Sequence, residues 1–219
     1  MQLTQTSPSR FRQIAVALAV VLAVLMALNT KFLTPAEVAQ IAPKPFDPTQ
    51  TAAELWGKAQ SDLPGQAAPL GEVVTAFQKD VKGAAAQYKA VSPNENSFDF
   101  PVTLSATVLE ASPTALKVQV PGVPAQTPVT IPLTTGLNGT VIRDAMGFKF
   151  AQAPGQTDFQ YVGDEIKKLQ TAEIGKLGDV TALQGKQVDI TGVVSVLATG
   201  NTVPLPKPVT VQPVKVGGA

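Results

Sequence analysis

The sequence predicts an α+β protein in which an N-terminal transmembrane helix precedes a small closed or partly open β-barrel of about five or six strands, flanked by about three helices. Three observations carry that expectation. An uninterrupted apolar run lies near the N-terminus behind two arginines. Beyond Pro93 the hydrophobic period changes from that of amphipathic helices to the alternation of half-buried strands. One further helical pattern is set between the later strands.

From Ile14 to Leu28 the sequence IAVALAVVLAVLMAL holds fifteen consecutive residues without a charge or a polar side chain, preceded by Arg10 and Arg12. At 1.5 Å per residue the run covers about 22 Å, short of the roughly 30 Å hydrocarbon core, and Asn29, Thr30, Phe32 and Leu33 extend it while Lys31 snorkels outward. A cleaved signal peptide and an uncleaved signal anchor both fit such a run. Cleavage needs small residues at −3 and −1, and Leu25 stands at −3 when Ala27 is placed at −1, which favours the anchor. The positive-inside rule then makes residues 1–13 a cytoplasmic n-region and 14–33 the membrane segment, with the remainder on the far side. No cysteine follows the run, so a lipid anchor on cysteine is excluded.

Composition removes most familiar chemistry. The 219 residues include no cysteine and no histidine, which excludes disulfides, thiolate and imidazole metal sites, cysteine nucleophiles and Ser-His-Asp machinery. Charged residues make up 15%, apolar residues 44%, and the net charge is +1, a balance that fits neither a disordered chain nor a nucleic-acid binder. Taking Arg10, Arg12 and Lys31 from the 17 basic residues leaves 14 against 16 acids beyond Leu33, a net of −2. Nucleic acid is not an expected partner, and no cofactor or metal is expected.

Residues 34–47 read as a stalk punctuated by Pro43 and Pro45, and 48–92 as a helical segment. Asp47-Pro48 places a capping carboxylate before a proline at the first helical position. Ala52, Leu55, Trp56, Ala59 and Leu63 then form one apolar stripe ending at Pro64-Gly65. Leu70, Val73, Val74, Phe77 and Val81 share the face of a second helix, interrupted at Gly83 before a turn near Tyr88. Residues 93–219 read as the barrel-like part. Phe98, Phe100, Val102, Leu104, Ala106 and Val108 alternate; Leu116–Val120 follows a Ser112-Pro113 turn; Val129–Leu133 completes a meander in which Pro132 marks an edge or a bulge. Residues 136–150 combine a Gly-rich turn, a short helical piece capped by Thr140, and a short strand from Phe148 to Phe150. A third helix spans 161–177 with Val162, Ile166 and Leu169 inward, closed by Gly175 and Gly178, and Asp179 caps one more turn. Val188, Ile190, Gly192, Val194 and Val196 alternate in the next strand, and Val209, Val211, Val214 and Val216 supply the closing one.

Candidate chemistry is sparse. Asp164-Glu165 is the adjacent acidic pair, but Lys167 and Lys168 lie three or four residues on, which makes it a solvated face rather than a hydrolytic dyad. Gly136 and Gly139 match no phosphate-binding spacing. Arg143 is the sole arginine beyond the membrane segment and sits in the apolar stretch Val141–Met146. It needs a partner, with Asp144, Asp158 and Asp164 as candidates for an ion pair, and a ligand carboxylate or sugar hydroxyl as the alternative. Trp56 and Tyr161 have the chemistry to stack on a sugar, yet each falls where its helix would bury it in the core.

The order of these features resembles the domain of unknown function 2291 family of predicted periplasmic lipoproteins. The resemblance is carried by Pro45-Phe46-Asp47 with Glu54-Leu55-Trp56; Phe98, Phe100, Pro101 and Val102; Gly139-Thr140-Val141-Ile142-Arg143-Asp144-Ala145 with Phe148 and Phe150; Phe159-Gln160-Tyr161; and Gly185-Lys186-Gln187-Val188 with Gly192. It implies an OB-like barrel with flanking helices, an envelope location, and a place beside sugar ABC transporters, whose genes commonly neighbour those of the family. No catalytic residues come with it. The expected function is therefore a membrane-anchored extracytoplasmic accessory of sugar ABC-type import, not an enzyme. Alternatives are a small carbohydrate-binding module using Arg143 and Tyr161 and, more remotely, a carboxylate-based hydrolase. The chain departs from the family pattern in lacking the lipobox cysteine.

Overall fold

The computed structural model describes residues 8–31, 33–35, 37–38, 45–201, 203 and 208–217. Two compact units are present, Met1–Pro45 and Phe46–Ala219. In the first, helix α1 runs Pro8–Asn29, and its Arg10–Asn29 stretch has a mean hydropathy of 2.3 with no part buried. Those 20 residues reach about 30 Å, enough to cross a bilayer, but the length is gained on the N-terminal side. Asn29 ends the helix rather than extending it. The Asn29 Nδ2 donates to the Leu25 carbonyl and the Thr30 Oγ1 to that of Met26, at 2.8 and 2.6 Å, the latter beside the Thr30 amide on the same carbonyl, so both side chains fold back onto the last turn. Thr34 and Glu37 form a reciprocal capping box at the start of a short helical turn within the expected stalk. Phe32 and Pro43 lie outside the described residues.

In the second unit, Asp47 caps helix α2 (Pro48–Gln66) by accepting the Thr49 and Gln50 amides. Ala52, Trp56, Ala59 and Leu63 are buried, as the stripe requires, and the helix continues two residues past Pro64, closed by the Ala67 amide on the Leu63 carbonyl. Strand β1 (Ala68–Pro69) is brief. Helices α3 (Leu70–Lys79) and α4 (Val81–Gln87) bury the expected face, Leu70, Val73, Val74, Phe77 and Val81. The break falls at Asp80, not at Gly83. Asp80 adopts an extended conformation (φ −154°) and caps α4 by accepting the Gly83 amide, and the glycine leaves the Asp80 carboxylate free to lie against the backbone there.

Strands β2 (Val91–Asn94), β3 (Ser97–Ala111), β4 (Ala115–Gln119), β5 (Val129–Pro132), β6 (Gln187–Leu197) and β7 (Val209–Gly217) complete the sheet. The order β3-β4-β5-β7-β6 returns to β3 through the β3–β6 pairing, which makes a closed five-stranded barrel with β1 and β2 attached to β3. The segment 48–92 is thus stitched into the barrel rather than set beside it. Pro132 pairs with Ala115 of β4 at the end of β5 and lies beyond the two residues where β5 meets β7, so its other side is a local sheet edge, where a proline is tolerated. The alternating side chains of β3, with Leu116, Ile131, Ile190 and Val211, fill the barrel interior beneath α3 and α4.

The second half of the chain adds helix α5 (Gly139–Ala145) and helix α6 (Gln156–Ile174). Helix α6 starts five residues before the expected Tyr161 and hands over to a 3-10 turn at Gly175–Leu177. Asn138, not Thr140, caps α5: its Oδ1 accepts the Thr140 amide at 3.1 Å and the Thr140 hydroxyl at 2.6 Å. Phe148–Phe150 is not a strand, because Gly147 turns the chain at φ 75° and a 3-10 turn begins at Phe150. Helices α2, α5 and α6 bury a second core against the outside of the barrel, where Val193 of β6 and Val214 of β7 meet Trp56, Ile142 and Ile166. Val211 and Val214, an odd three residues apart, lie on opposite faces of β7, Val211 inward and Val214 outward, and the register against β6 shifts between Pro213 and Lys215.

β5 meets β7 only at Val209 and Thr210, which leaves the backbone of β7 beyond them open on the side away from β6, and polar side chains from the helices cover it. Gln60 donates to the Val214 carbonyl at 3.3 Å, Gln170 to the Pro213 carbonyl at 3.2 Å, and the Val216 amide donates to Glu173 Oε1 at 3.2 Å. Glu173, 4% exposed, also accepts Gln60 Nε2 at 2.8 Å and Lys176 Nζ at 2.5 Å. The glycines mark close approaches. A Cβ on Gly192 would strike the Gln212 carbonyl, and one on Gly139 would lie 2.6 Å from the Lys167 amide of α6 and closer still to the Gly163 carbonyl. Gly185 turns between the 3-10 turn Val180–Leu183, capped by Asp179, and β6 at φ 79°.

Glu173→Ala is expected to cost about 3 kcal/mol in urea denaturation, since it orphans the Val216 amide, whereas Lys176→Ala removes only an exposed partner and costs less than about 1 kcal/mol. Gly139→Ala forces α5 off α6 and should cost roughly 3 kcal/mol by the same measurement.

Candidate functional site

Arg143 lies on the buried face of α5 and is 5% exposed. Of its three candidate carboxylates, Asp144 is the one the fold supplies. Nε and Nη2 both reach Asp144 Oδ1 at 2.8 Å, and Nη1 donates to the Phe159 carbonyl at 2.9 Å. The guanidinium also lies over the Phe159 ring, 3.6 Å from its centroid, where the ring quadrupole favours a cation. This seat explains an arginine among apolar neighbours, because planar donors and a flat cationic face are both used.

Around it runs a chain of aromatic rings. Phe148 stacks between Phe46 and Phe159, with centroids 6.4 and 5.9 Å away, and Phe150 meets Phe159 edge-on at 5.6 Å. Arg143, Phe150 and Phe159 line two adjacent clefts, one of about 500 Å³ toward β2 and one of about 490 Å³ toward the start of α6. Tyr161, expected in the core and paired with Arg143 in a binding face, is instead 53% exposed and lines neither cleft. The helix begins early enough that Tyr161 falls on its outer side, while Val162 and Ile166 take the inner one. Trp56 is buried, as expected. Asp164 is exposed and Glu165 pairs with Lys168 at 2.5 Å, so the acidic pair lies on a wet surface.

Sequence reasoning missed Asp99. It stands on β3 opposite Ser195 of β6, 1% exposed, and its Oδ1 finds no hydrogen-bond partner among the described residues. Burial pushes its carboxyl up to about 6; the Ser195 hydroxyl opposes the shift and the nearby Asp144 carboxylate adds to it. Asp144 is itself raised by burial against the opposing pull of Arg143. The signal was the sequence Phe98-Asp99-Phe100-Pro101, in which Asp99 occupies a position that alternation assigns to solvent; it is buried between β2 and β6, its neighbours in the sheet, on a face that Asp144 of α5 approaches.

The profile of the family described as predicted periplasmic lipoprotein (DUF2291) matches residues 18–216. The chain belongs to this family. The crystal structure of an OB-fold protein from Thermotoga maritima MSB8 superposes with a TM-score of 0.65 at 20% identity, covering 80% of this chain and 100% of that one. The OB-like barrel expected from the family is therefore the observed fold. No curated protein matches the sequence. The segment Gly139–Ala145 with Phe148 and Phe150, which carries much of the family resemblance, provides the arginine, its carboxylate and two of the aromatic rings at the clefts.

The raised Asp99 has a defined consequence. Its folded value lies above the ordinary 3.8, so the folded state holds the proton more tightly than the unfolded chain, and stability falls as pH rises from about 4 through about 6. The drop amounts to at most about 3 kcal/mol, and Asp144 contributes in the same direction. Asp99→Asn is expected to flatten that part of the profile in melts taken from pH 4 to 7 and to raise stability at pH 7.

Proposed function

We propose that the chain is a membrane-tethered extracytoplasmic accessory protein that serves a sugar ABC-type importer by contacting its binding protein or permease, without catalysing a reaction. The observation that carries the tether is the pairing of an exposed helix that is uncharged from Gln13 to Asn29 with the absence of any cysteine to lipidate. A chain of a lipoprotein family that has no acylation site keeps its place at the membrane through the helix itself, as a single-pass anchor with Arg10 and Arg12 on the cytoplasmic side.

A supporting rather than catalytic role is favoured by how the polar groups are spent. The barrel interior is filled by apolar side chains such as Phe100, Leu116, Ile131 and Ile190. The acids on α6 either face water or hold β7 in place. The importer is proposed from the gene neighbourhood implied by the family resemblance, and the near-neutral extracytoplasmic part suits contact with other proteins better than with nucleic acid or anionic lipid.

Two measurements test the reading. The protein should resist carbonate extraction from membranes, require detergent for release, and retain Arg10–Leu28 on N-terminal sequencing; a mature chain beginning after Asn29 would sink the anchor. Affinity-tagged protein from cells induced for sugar uptake should bring down a sugar-binding protein or permease, and recovery of neither would remove the importer from the proposal.

A further inference from the structure

The cleft of about 500 Å³ between α5, the Phe148–Phe150 turn and β2 contains hydrogen-bonding capacity that the fold leaves unused. A guanidinium has five N–H donors. Arg143 commits Nε and one hydrogen of Nη2 to Asp144 and one of Nη1 to the Phe159 carbonyl, which leaves two. Asp144 uses Oδ1 for all of that pairing and keeps Oδ2 as an acceptor, with its side chain 25% exposed. Both residues line the cleft, and the Phe159 carbonyl and ring hold the guanidinium in place there. Phe150, at the rim, offers a ring that is 55% exposed although it is fixed edge-on against Phe159.

Charge selects the ligand. Of the charges that line the cleft, Arg143 and Asp144 neutralise each other, and Lys149 is exposed to water, which screens it. An anion would have to compete with Asp144 for the guanidinium, and a cation would have to share Asp144 with it. A hydroxyl both donates and accepts, and adjacent hydroxyls on a ring match neighbouring donors and an acceptor without disturbing the ion pair. We infer that this cleft binds a neutral ring polyol of monosaccharide size, with Arg143 donating to one hydroxyl, Asp144 Oδ2 accepting from its neighbour, and Phe150 covering the apolar face of the ring. This deepens the sugar-uptake reading and rests on it for the source of the ligand.

The test titrates the detergent-solubilised full chain with D-glucose, D-galactose and D-ribose, and with glucuronate and glucosamine as charged counterparts, by calorimetry and thermal shift. At least one neutral sugar should bind and raise the melting temperature, with the charged counterparts weaker. Phe150→Ala, a half-exposed position that loses one edge-on aromatic contact, should weaken binding about tenfold while lowering the melting temperature of the free protein by only a few degrees, and Asp144→Asn should weaken it as well. Absence of a response to all three neutral sugars, preference for glucuronate, or undiminished affinity in Phe150→Ala would overturn the inference. The assay contains no importer component, so lost importer association leaves this result standing, and lost sugar binding leaves the tether and the importer contact to their own tests.

Discussion

The outward backbone of β7 is the constraint on which the rest of the extracytoplasmic unit depends. A strand that pairs with β6 on one side and with β5 over only two residues on the other leaves amide and carbonyl groups that must find partners once helices cover them. Gln60, Gln170 and Glu173 supply those partners from α2 and α6. The same contacts hold the helical layer against the barrel. Gln212 extends the device in the opposite direction: its buried side chain accepts the Asn138 amide at 2.9 Å and donates to the Gly136 carbonyl at 3.0 Å, setting the point where α5 begins.

From that starting point the candidate site follows. With Asn138 pinned, Gly139 can lie directly against Gly163, and the two helices approach closely enough for Arg143 to reach the Phe159 carbonyl and ring. Packing, capping and the ion pair are thus one construction. It uses a charged residue where an apolar one would fill the space, and the return is an oriented guanidinium–carboxylate pair at the base of a cleft. A buried ion pair of this kind contributes modestly to stability, which makes its placement more telling than its strength.

Much of the fold was legible because long periodic elements report their own burial. The stripes of α2, α3 and α4, the alternation of β3, β6 and β7, and the Asp47 cap all appear where hydrophobic period and capping chemistry put them. The misreadings have local causes. Gly83 looked like a breaker because glycine is a poor helix former, yet it lies within α4 and donates its amide to the Asp80 cap. Thr140 looked like a cap, but Asn138 was better placed once the loop before it was tied to Gln212. Phe148 and Phe150 alternate like a strand although they belong to a turn, since two residues of alternation carry little directional information. Of the site, Arg143 and its pairing with Asp144 could be anticipated from a lone cation in an apolar stretch. Asp99 could not, because its burial comes from elements distant in sequence.

Sequence by itself determined the apolar helix, the absence of thiol and imidazole chemistry, and the division into helical and strand segments, because each depends on composition or on neighbours a few residues apart. Tertiary structure alone decided the closure of five strands into a barrel, the outward turn of Val214, the exposure of Tyr161 and the gathering of Asp99, Arg143, Asp144 and four phenylalanine rings in one place. Those outcomes depend on which surfaces meet. Short-range pattern fixes which side chains need to leave water, while the pairing of β3 with β6 and the crossing of α5 over α6 fix what they meet when they do.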